Sequence, residues 1–258
     1  MASKSISRKR GACPIHIGVG GWTYGPWRGV FYPDDLPHSG ELAFASQRLT
    51  SIEINGTFYG LQKPATFIKW HEQTPDDFVF SLKAPRFVMN RKILASAGEA
   101  IGRFLDSGVI ELKDKLGPIN WQLLPTKLFD AADIEAFLKL LPRERSGRPL
   151  RHALEVRHES FRCDQFIQLA QRHGVAIVIA GDSPYPEIDE ATAPFAYARI
   201  KGTKSNRKAG YSEAGLDGWA ARAREWAKTR EVFLYVIGGD KVRNPAAAGA
   251  LIKRLAAD

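Results

Sequence analysis

The chain has 258 residues, 44% hydrophobic and 25% charged, a composition that can bury a sizeable core and excludes a disordered or fibrous protein. The formal net charge is +9 at pH 7, but Lys4, Arg8, Lys9 and Arg10 supply four of those charges in a serine-rich start, leaving +5, too little to demand a nucleic-acid partner. No apolar run approaches the roughly 18 residues that span a bilayer, and no secretory apolar stretch is present, so a cytoplasmic protein without membrane contact is expected.

Residues 1–14 are expected to be a disordered basic tail, and 15–258 a single domain. Cys13 and Cys163, with no export signal, are expected to be reduced thiols, and no Cys/His spacing suggests zinc. β-Branched and aromatic runs predict strands beginning at His16 (HIGVG), Ser51 (SIEIN), Phe78 (FVFSLK), Pro118 (PINWQL), His152 (HALEVR), Val175 (VAIVIA), Phe195 (FAYARIKG) and Val232 (VFLYVIG). Amphipathic spacing predicts helices at 41–49, 65–73, 99–113, 131–141, 164–173, 216–229 and 245–257. His173-Gly174 reads as a helix end, because glycine accepts the left-handed cap position.

Strand and helix alternating in this way point to parallel βαβ units closed into a single-domain (β/α)8 TIM-type barrel. The interval 182–194 departs from the pattern. Pro184, Pro186 and Pro194 fall where a crossover helix belongs, so an irregular connection between strands six and seven is expected. An open nucleotide-binding sheet is disfavoured, since Gly18, Gly20 and Gly21 lack GxGxxG spacing and run into Tyr24 and Trp27 instead of a helix. No P-loop occurs. Gly18 and Gly20 read as small inward positions in a crowded barrel.

The predicted strands end in polar residues two apart: Glu53 and Asn55, Ser81 and Lys83, Asn120 and Gln122, Glu155 and Arg157, Arg199 and Lys201. Alternation places each pair on one face. A ring of polar groups at the C-terminal rim follows, where barrel enzymes carry their reactive groups. Lys83, Arg86, Arg157, Arg199 and Lys201 would meet Glu53, Glu155, Asp182 and Asp240. Most of these charges must pair, because an unpaired buried ion costs several kcal/mol. A small positive excess would then be available to a phosphate- or carboxylate-bearing ligand.

Within that ring His158 is the candidate proton shuttle, and Glu155 and Glu53 the candidate carboxylate bases. Each also has a bland reading, as a hydrogen-bonding rim residue or a register-fixing ion pair. Glu53, Glu155, Asp182, His158 and Asp240 have ligand types suited to a divalent metal, but Lys83 and the nearby arginines disfavour one, and no metal ligand is assigned. The dense aromatic stretch 21–33 splits: Phe31 and Tyr32 are expected to plug the strand ends, while Trp22, Tyr24 and Trp27 are left between plug and stacking surface. The loop 202–215 carries Lys204, Arg207 and Lys208 after the seventh strand, where barrels often hold phosphate.

In order, Gly20-Gly21-Trp22-Thr23-Tyr24 through Trp27-Arg28-Gly29-Val30-Phe31-Tyr32-Pro33, Ile52-Glu53-Ile54-Asn55-Gly56-Thr57-Phe58-Tyr59, Ser81-Leu82-Lys83-Ala84-Pro85-Arg86, Leu116-Gly117-Pro118 with Gln122-Leu123-Leu124-Pro125, Glu155-Val156-Arg157-His158-Glu159-Ser160-Phe161 and Tyr197-Ala198-Arg199 resemble the YecE-like family, domain of unknown function 72. The resemblance implies a TIM-type barrel and no established reaction. It carries over Glu53, Asn55, Lys83, Arg86, Gln122, Glu155, Arg157, His158 and Arg199 as site positions. Two departures fall at the rim: Lys201-Gly202 stands where the family usually has His-Gly, and Ile237-Gly238-Gly239-Asp240 replaces an asparagine-rich turn.

The leading expectation is therefore a barrel whose pocket binds a small anionic metabolite through Asn55, Lys83, Arg86, Gln122, Arg157, Arg199, Lys201, Trp22 and Tyr24, with Glu155, His158 and Glu53 handling protons and the cofactor unassigned. Two alternatives stay open. One is a non-catalytic nucleic-acid- or protein-binding barrel using the tail and the 202–215 loop, and the other a divalent-metal-dependent isomerase or phosphoesterase.

Overall fold

Runs that are apolar on both faces form strands buried on both sides, one against helices and one inside a closed sheet. A computed structural model describes residues 12–257, in which eight such runs close into a parallel barrel. They are β1 (Ile15–Gly20), β2 (Ser51–Ile54), β3 (Val79–Lys83), β4 (Leu116–Gln122), β5 (His152–Glu155), β6 (Ala176–Ile179), β7 (Phe195–Ile200) and β8 (Glu231–Val236). Order around the barrel follows the chain, and β8 pairs back on β1. Every expected strand forms, each beginning within two residues of its predicted start.

The covering helices are α1 (Glu41–Ser46), α2 (Pro64–Glu72), α3 (Gly98–Leu105), α4 (Ala131–Leu140), α5 (Asp164–His173), α6 (Glu213–Ala227) and α7 (Asn244–Ala256). α5 ends as expected at Gly174, with φ 65°. The helix expected over 99–113 is instead cut at Leu105. Gly108 turns left-handed at φ 108°, close against Pro64, and a 3-10 segment follows over Val109–Lys115. α6 begins earlier than its apolar periodicity indicated, because the Ser212 hydroxyl accepts from the Gly215 amide at 3.1 Å and caps it.

Residues 182–194 carry no helix, as their prolines require. Side chains stand in for the missing packing element. Thr192 accepts from the Ile177 amide at 3.1 Å and donates to the Val175 carbonyl at 2.8 Å. Asp189 receives the Trp226 indole N–H at 3.1 Å, tying the loop to α6.

Inside the barrel Ala153, Val178, Tyr197, Phe233 and Tyr235 form a cluster separate from the outer core. The Tyr235 hydroxyl is hydrogen-bonded to Ser51 at 2.7 Å and Ser81 at 2.6 Å, satisfying polar groups at mid-barrel. A side chain at Gly18 would place Cβ 2.0 Å from the Ser51 carbonyl oxygen. The neighbouring backbone, more than crowded side chains, therefore excludes larger residues there.

Of the tail expected at 1–14, residues 1–11 lie outside the described residues, including Lys4, Arg8, Lys9 and Arg10. Cys13 and Pro14 already join the barrel: the Cys13 amide donates to Ala227 at 2.8 Å, and Pro14 accepts from Val232 at 2.9 Å. Cys13 and Cys163 are free thiols. Among the described residues no helix is long and apolar enough to cross a membrane.

Candidate active site at the C-terminal strand ends

The residues at the strand ends converge on Arg199, which is 4% exposed at the end of β7. It donates to Glu53 Oε1 at 2.9 Å, to Gln122 Oε1 at 3.0 Å, and to Glu155 Oε2. Glu53 and Glu155 are both fully buried. Glu53 Oε2 also accepts from the Tyr197 hydroxyl at 2.6 Å and from Asn120 Nδ2 at 3.3 Å. Glu155 Oε1 accepts from Arg157 at 2.9 and 3.0 Å and from Lys201 at 3.3 Å. Polar residues from the ends of four strands, β2, β4, β5 and β7, thus form one connected network, and among the described residues Asn55 and the β3 pair Ser81 and Lys83 stand outside its hydrogen bonds.

Burial by itself would raise the Glu155 carboxyl, but Arg199, Lys201 and Arg157 outweigh it and hold the group well below the usual carboxylate range. Burial would likewise lower Arg199, yet Glu155 and Glu53 keep it above the ordinary guanidinium range. Lys201 is lowered by burial despite its contact with Glu155. Lys83 is lowered from 10.5 to about 8, chiefly by burial and then by the Arg199 cation. Among the described residues its ammonium has no carboxylate within ion-pair distance, and it sits 4.0 Å from the centre of the Phe58 ring.

Beside this network opens a cavity of about 510 Å³, bordered by the ends of β1, β2, β3, β7 and β8. Lys83, Arg199 and Lys241 supply its charged lining, and among the described residues no carboxylate contributes. Trp22, Tyr24, Trp27, Tyr59 and Trp70 supply aromatic surface. Asn55 and Asn244 add amides. Arg199 Nε and Asn120 Oδ1 are buried without a hydrogen-bond partner among the described residues.

The aromatic stretch divides as expected for Phe31 and Tyr32. Tyr32 is 1% exposed, donates to the Trp22 carbonyl at 2.7 Å and packs on Phe31 and Phe44. Trp27 belongs to both roles: it is buried, donates to the Lys241 carbonyl at 2.8 Å, and shows part of its ring to the cavity. Trp22 meets Trp70 edge-on at 5.2 Å between ring centroids.

Several expected rim residues lie elsewhere. Arg86 is exposed at the start of a single helical turn and does not line the cavity. His158 Nδ1 accepts from the Ser160 amide at 3.1 Å, capping the turn Glu159–Phe161. The Asp182 carboxylate accepts from Tyr211 at 2.8 Å and Trp219 at 2.9 Å. Asp240 caps its own turn by accepting from Val242 at 3.0 Å. The ring of five cations and four carboxylates is therefore corrected to Lys83, Arg157, Arg199 and Lys201 against Glu53 and Glu155. Arg157 and Lys201 lie 4.6 Å from the Tyr185 ring, which the irregular 182–194 connection lays over them. Neither they nor Gln122 line the cavity.

Lys204, Arg207 and Lys208 are exposed and also stand outside it. Among the described residues no group of three or more His, Cys, Asp or Glu side chains is placed to hold a metal ion. Lys241, Tyr59, Gln62, Trp70 and Asn244 line the cavity without having been expected to. Tyr59 was within a motif already singled out, and Lys241 one residue beyond another. Trp70 had no signal beyond the periodicity of α2.

An eight-stranded (β/α) barrel with a cationic, aromatic-lined cavity over its strand ends is the class of protein that these residues build. The profile of the family described as Protein of unknown function DUF72 matches residues 16–258, and the chain belongs to that family. It is similar to UPF0759 protein YecE of Escherichia coli (strain K12), 29% identical over 152 residues, which is 57% of this chain and 50% of the relative. The chain thus spans about half the length of the curated relatives it matches.

A solved DUF72 family protein from Thermotoga maritima MSB8 has a TM-score of 0.74 at 21% identity, covering 93% of this chain and 98% of that one. Another from Enterococcus faecalis V583 has a TM-score of 0.70 at 18% identity, covering 95% and 98%. At such identities the likeness establishes the barrel, and chemistry must be argued from the site.

Proposed function

We propose that the chain binds a small anionic metabolite, phosphate- or carboxylate-bearing and presenting a flat face, in the cavity over β1, β2, β3, β7 and β8. The observation that carries the reading is the lining: Lys83, Arg199 and Lys241, with no acid beside them among the described residues, next to five aromatic rings. A concave site with few polar groups on an apolar wall orients a small ligand through those groups. Planar guanidinium and compact ammonium donors suit anionic oxygens.

Glu53 and Glu155 act here as positioning residues. Both are fully buried and already occupied by Arg199 and its neighbours, so they fix the guanidinium instead of exchanging protons with a ligand. His158, occupied in a cap outside the cavity, is given no proton-transfer role. The alternative of a nucleic-acid surface on the 202–215 loop has exposed cations in its support, but the loop's ring, Tyr211, packs against the core with its hydroxyl on Asp182.

Thermal unfolding with inorganic phosphate, a sugar phosphate and a nucleoside monophosphate tests the reading. A ligand at 100 times its Kd should stabilise the fold by about 2.7 kcal/mol. Lys241→Ala, at an exposed rim position, should lower that affinity with little loss of basal stability. No stabilisation by any of the three anions at millimolar concentration would sink the proposal.

A further inference from the structure

The four cations of the strand-end network are not equivalent. Arg157, Arg199 and Lys201 each hold a carboxylate oxygen, whereas Lys83 holds none among the described residues. Lys83 ends β3 at the cavity wall, with the Phe58 ring on one side at 4.0 Å and the Arg199 cation contributing to its surroundings. A primary amine so placed faces ligand space with no carboxylate in ion-pair contact among the described residues, and burial and Arg199 outweigh the more distant Glu53 and Glu155. Lysines become nucleophilic when desolvated or set beside another cation, and both conditions are met.

We propose that Lys83 is a catalytic nucleophile toward a carbonyl group, forming an imine with an aldehyde or ketone whose phosphate or carboxylate is held by Arg199 and Lys241. The inference rests on the anion-binding reading above and names the ligand's second functional group. The Nζ lone pair bonds to the carbonyl carbon while the C=O π pair moves to oxygen, which takes up a proton lost by nitrogen. The resulting hydroxyl leaves as water with a second proton from the amine, and a C=N bond remains. Nothing is oxidised or reduced, and hydrolysis reverses the step. An imine drains electron density from the adjacent carbon, so the reaction class is one that loosens a bond to that carbon.

With a pKa of about 8, about one amine in ten is neutral at pH 7, against about one in three thousand for an ordinary lysine. Reactivity in the cavity is thus available near neutral pH. Lys241 is exposed at the rim and serves as an anion contact.

The full chain is incubated with dihydroxyacetone phosphate or with uncharged dihydroxyacetone, reduced with cyanoborohydride, digested and mapped by mass spectrometry. The phosphorylated ketone should label Lys83 at least tenfold more than the exposed Lys204 and Lys208, and inorganic phosphate should suppress the adduct. Mapping the unaltered chain avoids dependence on a variant's folding, and Lys83→Met should abolish that one adduct. Labelling of Lys83 no stronger than that of Lys204 overturns the nucleophile. If phosphate stabilises the protein but no adduct forms at Lys83, the nucleophile fails while anion binding survives. If both ketones label Lys83 equally and phosphate has no effect, the nucleophile stands and the anion reading fails.

Discussion

Replacing Arg199 by methionine removes the cation on which Glu53 and Glu155 converge. The two carboxylates would not suffer equally. Glu155 keeps Arg157 and Lys201 in contact, whereas among the described residues Glu53 keeps only neutral hydrogen-bond donors, Tyr197 and Asn120, with the Lys83 cation beyond ion-pair distance. Breaking a buried ion pair from one side costs about 3–5 kcal/mol, because the remaining charge stays desolvated. With one carboxylate compensated and one not, a loss of about 4 kcal/mol is expected, or a fall of about 8–16 °C in melting temperature. Urea denaturation of Arg199→Met, Glu53→Gln and the double variant forms a thermodynamic cycle. Since Glu53→Gln removes the stranded charge, the double variant should be more stable than additivity predicts, by about 2 kcal/mol. A cost below about 1 kcal/mol for Arg199→Met, or additivity within about 0.5 kcal/mol, would refute the network as the anchor of the site.

Three further outcomes are expected. Lys83→Met should stabilise the protein at pH 7 by about 1–2 kcal/mol, a value discounted for partial solvent contact, because it removes a desolvated ammonium without an acid partner; destabilisation of similar size in urea denaturation would contradict this. His152 is held neutral by burial between the Trp121 indole N–H at 3.0 Å and the Pro142 carbonyl at 2.8 Å, with its pKa lowered from 6.5 to about 4. The unfolded chain therefore takes up the proton first, and stability should fall by up to about 3 kcal/mol as pH drops from 6.5 to 4; a His152→Gln variant losing as much over that interval would show another group responsible. Gly18→Ala should cost about 3 kcal/mol, since its Cβ meets the Ser51 carbonyl oxygen at 2.0 Å, and an unchanged melting temperature would rule out that close approach.

Much of the fold was legible because strand burial is written locally. β-Branched runs such as Ala176–Ile179 and the glycine at 174 mark an element and its end without reference to distant residues. The prolines of 182–194 excluded a helix for an equally local reason. Helix 99–113 misled because its apolar periodicity continues past Gly108, while the break depends on a close approach by Pro64 from another segment. In the site, alternation alone placed Glu53, Asn120, Gln122, Glu155, Arg157, Arg199 and Lys201 in one network.

Charge balance was not legible to the same degree. Asp182 and Asp240 stand at strand ends like the others, but an indole, a phenol and a backbone amide claim them. Arg86 turns to solvent on its helical turn, and His158 caps its own.

The amino-acid sequence by itself determined the eight strands, the alternation that puts the paired polar residues of five strand ends on one face, and the family to which those motifs belong. These follow from backbone periodicity and nearest-neighbour chemistry. Only the tertiary structure decided which ions pair and which stay free, because pairing is set by distances between strands far apart in the chain. It left Lys83 facing a cavity without an acid, drew Lys241 and Trp70 to the same wall, and covered Arg157 and Lys201 with Tyr185.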